Sequence, residues 1–113
     1  LGVNTREFSV RLRGIVIDES TLTYRELLSS AHEEASHDRF WALARALYAK
    51  LSEQEREVLL GLMRQAATDA VATALSVIDG PTVLDEAKSS FELRCVDDGT
   101  VLSGTLCDYF LGG

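Results

Sequence analysis

The segment His32-Glu33-Glu34-Ala35-Ser36-His37 brings together the residue types that a zinc hydrolase places on one helix face. The spacing does not suit that chemistry. Metal capture from one face needs histidines four apart, and a separation of five turns their side chains about 140° from each other. Surface histidines are the expectation, and no metal or other cofactor is implied. Asp69 lies in an alanine-rich stretch, where burial would raise its pKa and suit it to proton transfer. Gln65 and Thr73, one turn away on either side, instead make it part of a polar, solvated stripe.

Trp41, Arg45 and Tyr48 are spaced four and three apart, so a helix places them together as an aromatic shelf with a cation within reach of both rings. With Tyr109 they would line a pocket between the third helix and a C-terminal hairpin. That is the basis of one functional expectation, a small-molecule binder or enzyme. The two cysteines, Cys95 and Cys107, are too few for a disulfide framework and have no CxxC or Cys/His spacing. Cys107 adjoins Asp108 and has no basic sequence neighbour to lower its pKa, so packed, reduced thiols are expected. No phosphate-cradling glycine loop, GxSxG elbow or dinucleotide fingerprint occurs. On these grounds the reading leans away from an enzyme.

Charge narrows the partners. The formal net charge is −7, which argues against nucleic acid and anionic membranes, since both require clustered Lys and Arg. From Asp79 onward, seven acids face only Lys88 and Arg94. Asp85, Glu86, Asp97, Asp98 and Asp108 therefore form a candidate surface for a basic protein partner, whose encounter would be fast and salt-sensitive. No apolar run reaches the length of a membrane span, and charged residues interrupt the first twenty positions too often for a secretory h-region. A cytoplasmic location is the resulting expectation.

The elements that must position these residues centre on 52–80. Ser52 and Glu55 form a capping-box pattern, while Gly80-Pro81 marks the stop. A helix over 53–78 follows, about 39 Å long at ~1.5 Å per residue. Within it Leu59, Leu62, Met63, Ala66, Ala70, Ala74 and Val77 make one apolar strip, and Leu60, Ala67, Val71, Leu75 and Ile78 make a second. Burial of both would place the alanine-rich half at the centre, with Arg64, Gln65, Thr68, Asp69, Thr73 and Ser76 facing water.

Other helices are expected over 5–16, 23–35 and 39–50. The first has a rival strand reading, because Phe8, Val10, Leu12, Gly14 and Val16 also alternate; the capping pattern Asn4 to Glu7 favours helix. A polar connection is expected over 18–22. In the third helix Phe40, Leu43, Ala44, Leu47 and Leu51 mark the core face. Over 90–106 the period becomes two, and Asp98-Gly99 suits the centre of a type I′ turn pairing Val96 with Val101 and Cys95 with Leu102.

The architecture expected is mainly α: one domain spanning 1–113, with about four helices around the long central one and a C-terminal β-hairpin packed on it. The functional expectation is a non-enzymatic acidic interaction module, immunity-like or inhibitor-like and bacterial in character, that binds a basic partner. The alternative is the aromatic-lined pocket. A homo-oligomer formed through Leu59, Leu60 and Met63 of the long helix is a further expectation.

Overall fold

The computed structural model describes residues 2–30 and 38–112. The His32 to His37 spacing, and the end of the helix expected over 23–35, lie outside the described residues. The protein is mainly helical, with α1 (Thr5–Arg13), a π-helical segment (Gly14–Glu19), α2 (Ser20–Ser29), α3 (Arg39–Lys50), α4 (Glu53–Asp79) and a short α5 (Leu106–Phe110).

Local chemistry explains where these helices begin. Asn4 Oδ1 accepts from the Glu7 N–H at 2.8 Å, which makes the 5–16 region helical from its first turn. Asp38 Oδ1 accepts from the Phe40 N–H at 2.9 Å and starts α3. The Ser52–Glu55 box is reciprocal: the Glu55 N–H donates to Ser52 Oγ at 3.1 Å, and the Ser52 N–H donates to Glu55 Oε1 at 2.8 Å. Gly80 ends α4 at φ 119°, a conformation that disfavours any residue with a Cβ.

The polar connection expected over 18–22 is absent. Thr21 Oγ1 donates to the Ile17 carbonyl at 2.6 Å, and Thr23 Oγ1 donates to that of Glu19 at 3.0 Å. These hydroxyls bond backwards into the helix instead of capping a new one. The chain passes from α1 to α2 through the π turn, whose wider i→i+5 bonding re-phases the apolar face. Phe8, Leu12 and Ile17 thereby join one cluster, and Leu28 joins another.

The first cluster buries Ile17, Ala72, Leu75, Leu102, Leu106 and Phe110 between α1, the π segment, the second half of α4 and the C-terminal segment. The second buries Leu28, Tyr48 and Leu60 between α2, α3 and the first half of α4. Two buried hydroxyls are satisfied within their own helices, with Ser9 Oγ donating to the Thr5 carbonyl and Thr68 Oγ1 to that of Arg64, both at 2.8 Å. A satisfied small side chain can then lie in a helix contact at no hydrogen-bonding cost.

The two strips on α4 are covered unequally, the first only where Leu59 and Met63 pack on the second cluster. Leu60, Ala72 and Leu75 are buried, and so is Thr68, which the sequence places on the wet side. Leu62, Ala66, Ala70 and Ala74 are exposed. The alanine-rich half is therefore covered on one side only, because α1, the π segment and α5 all belong to the cluster on that side.

The expected hairpin is also corrected, since the described residues contain no β-strand and only one isolated antiparallel bridge, Arg94 to Val101. The Cys95 N–H donates to the Thr100 carbonyl and the Leu102 N–H to that of Leu93, each at 2.8 Å. The pairing is thus shifted by two residues from the type I′ register. Gly99 has a positive φ of 77°, but Asp98 does not, because its carboxylate accepts from the Thr100 N–H at 3.0 Å and closes a side-chain turn instead. A ladder this short is marginal alone, and it is held by packing. Leu93, Cys95 and Leu102 all meet the first cluster.

Two polar contacts fasten the C-terminal segment. The Asp79 carboxylate, at the end of α4, accepts from the Gly104 N–H at 2.6 Å and the Cys107 N–H at 2.9 Å, which satisfies a backbone donor at the start of α5. Arg13 Nη1 donates to the Phe110 carbonyl at 2.9 Å, with the guanidinium 5.4 Å from the Phe110 ring centroid. A cation is thereby set against the C-terminal end of α5.

Candidate functional site

Helix α3 presents the face expected in the core to the outside. Phe40, Leu43 and Leu47 are 66%, 58% and 54% exposed. The neighbouring side turns inward instead: Tyr48 is buried and Trp41 and Arg45 are half-buried, and of the expected face only Ala44 and Leu51 are half-buried. Tyr24 stacks on Trp41 with ring centroids 5.9 Å apart, and Phe40 meets Trp41 edge-on at 5.4 Å. The result is an apolar groove of about 520 Å³, with Phe40, Leu43 and Leu47 along one wall, Leu59 and Met63 along the other, and Leu28 and Trp41 between them.

Among the described residues, the four side chains expected to line a pocket between the third helix and the hairpin are not brought together. Trp41 lines the groove described above, with α2 and α4 as its neighbours. Tyr48 is core, and the cation over its ring is Arg56, 4.8 Å from the centroid, which also donates from Nε to the Tyr48 carbonyl at 2.9 Å. Arg45 holds Nη1 in the interior with no hydrogen-bond partner among the described residues. Tyr109 is half-buried on α5, which packs on α1 and α4. Trp41 thus packs on the second cluster, whereas Tyr109 sits on a helix whose buried residues belong to the first.

The five acids of the candidate surface, Asp85, Glu86, Asp97, Asp98 and Asp108, are all exposed. They lie on the segment that follows α4, which packs on the cluster remote in the chain from the groove. Asp85 is held below the usual carboxylate range first by the Ser89 N–H and then by its hydroxyl. Asp98 is held low first by the Thr100 N–H, and its carboxylate lies so close to Gly2 that a Cβ there would meet Oδ2. Cys107 behaves as a packed thiol, raised above its ordinary value by burial, with Asp108 and Asp79 adding to the effect. Among the described residues no group of His, Cys, Asp and Glu side chains could hold a metal ion, and no helix is long and apolar enough to cross a membrane.

The surface ion pairs give a pH dependence of known sign. Glu57 is lowered by its paired hydrogen bonds with Arg25, at 2.6 and 3.1 Å. Glu55 is lowered by the Ser52 N–H and hydroxyl. In the folded chain these carboxylates bind protons less readily than in the unfolded one. Their contribution is therefore fully present above the unfolded values, about 4, and is lost progressively as the pH falls from there through the lower folded values. Urea midpoints are expected to drop below about pH 4, with a shallower fall in Glu57→Gln. An acid limb identical in the two proteins would contradict this assignment.

Sequence reasoning missed the open groove because it gave Phe40, Leu43 and Leu47 to the core. The signal was available: nine of the twelve residues of α3 are apolar. A helix apolar on all sides needs cover on all sides, whereas α3 lies against a single small cluster. The chain matches no protein-family model, no curated protein and no solved structure.

Proposed function

We propose that this protein is a non-enzymatic interaction module whose docking surface is the groove between α2, α3 and α4. The observation that carries the reading is the open face of α3, where Phe40, Leu43 and Leu47 stand in water on a helix that has little polar surface. Patches of this kind on soluble proteins mark interaction sites. The exposed acids of the C-terminal segment give the module a second character. They favour a basic protein, as an immunity-like or inhibitor-like protein would require, and hydrogen bonds from Ser89 and Thr100 hold two of them, Asp85 and Asp98, below the usual carboxylate range.

The groove volume also falls in the range of small-molecule sites, about 300–1,000 Å³, so an apolar ligand is the second reading. A photo-crosslinking side chain at position 43 separates the two. Covalent capture of a polypeptide, well above that at a control position 96, is the expected result. Absence of any polypeptide adduct, with a small apolar molecule co-purifying instead, would replace the first reading by the second.

A further inference from the structure

Building on the docking role of the groove, we propose that its occupant is a second copy of this chain, with α3 of each copy seated in the groove of the other. The first argument is area. A folded monomer of 12.4 kDa exposes about 6,100 Å², whereas this chain exposes 8022 Å². Its radius of gyration is 18.0 Å, against about 13 Å for a chain of this length. The excess of about 1,900 Å² per chain matches what each partner contributes to an obligate dimer, where the total is roughly 2,000–5,000 Å². Part of it belongs to the exposed residues 80–92, and the open face of α3 accounts for apolar area that no described element covers.

The second argument is self-complementarity. A two-fold interface uses the same patch on both partners, so that patch must hold both a projection and its receptacle. The α3 stripe of Phe40, Leu43 and Leu47 is the projection, and the channel beside it, floored by Leu28 and Trp41 and walled by Met63, is the receptacle. The rims agree in charge. Between its ends α3 carries Arg39, Arg45 and Lys50 and no acid, although the whole chain is at −7. Arg39 and Lys50 are exposed at the two ends of the stripe, while Glu55 is exposed one turn ahead of Leu59 on the facing wall. Two-fold docking sets Lys50 of each copy towards Glu55 of the other, a carboxylate that also accepts from the Ser52 N–H of its own chain at 2.8 Å. The sequence-based expectation placed a homo-oligomer on Leu59, Leu60 and Met63, but Leu60 is buried within its own chain.

The test is sedimentation velocity from 1 to 200 µM in about 150 mM salt. The wild-type chain is expected at twice 12.4 kDa. Leu43→Glu with Leu47→Glu should raise the dissociation constant roughly 100-fold or more, and Lys50→Glu, fully at the rim, by roughly tenfold. Val96→Glu, at a position 95% exposed and outside the groove, should leave the dimer intact; circular dichroism checks that each variant stays helical. A wild-type monomer at every concentration, or a dimer indifferent to both groove substitutions and Lys50→Glu, overturns the proposal. If that monomer still yields a heterologous adduct from position 43, the docking role survives and only the second copy is wrong; no adduct removes both.

Discussion

Replacing Phe110 with alanine is expected to lower the unfolding free energy by about 3–5 kcal/mol, one of the two largest effects of any single change. The ring is fully buried in the first cluster, and the residue is joined to α1 through Arg13 by both its carbonyl and its ring. Removing the ring leaves a cavity against Ile17 and Leu75 and frees α5 from α1, so the Leu93 to Leu102 turn loses its support as well. Urea unfolding at fixed protein concentration measures the loss, and protease cleavage after residue 80 should accelerate with it. A loss below about 1 kcal/mol would show that the C-terminal segment is not integral to the core.

Leu60→Ala is the second, with an expected loss of about 2–5 kcal/mol. Leu60 is buried with Leu28 and Tyr48 in the other cluster, so its removal loosens α3 while leaving α5 in place. The two losses should add to within about 0.5 kcal/mol, as they do for sites without shared partners. Leu62, two positions along the same helix and exposed, should lose far less on the same substitution when the chain is monomeric. If Leu60 and Leu62 proved equally costly, the assignment of the buried strip on α4 would be wrong.

The contrast between those neighbours shows what the sequence disclosed. Where a structure is decided by contacts a few residues apart, it could be read: Ser52 with Glu55 and Asn4 with Glu7 both form as their spacing implies. The mainly helical character follows from the same signals. The connection expected over 18–22, and a new helix starting at 23, do not form, because a threonine hydroxyl that starts a helix and one that bonds back four residues, as at Thr21 and Thr23, look alike in sequence. Asp98-Gly99 failed for a related reason, since the Asp98 side chain makes a hydrogen bond that competes with the backbone turn.

The groove was illegible for a different reason. Period locates apolar faces but does not tell which of them the chain has material to cover. On α4 both strips were found, but the one carrying Leu60, Leu75 and Ile78 is packed along its length, whereas the other is packed only at Leu59 and Met63 and leaves Leu62, Ala66, Ala70 and Ala74 exposed. On α3 the helix is apolar nearly all round, and tertiary packing turned Tyr48 inward and left Leu43 outside. Asp79 could not have been singled out at all, because its partners at Gly104 and Cys107 lie across an irregular segment with no repeating pattern. The five C-terminal acids are exposed, as charged side chains without buried partners are expected to be.

Trp41 gives the most direct test, being the chain's one tryptophan and part of the groove itself. Acrylamide quenching of its fluorescence should be weak in the concentrated wild-type protein and should strengthen on dilution below the dissociation constant. The same strengthening should appear at high concentration in Leu43→Glu with Leu47→Glu, because the groove is then uncovered. Equal quenching in both proteins at all concentrations would mean that nothing covers α3, and the docking account would be contradicted.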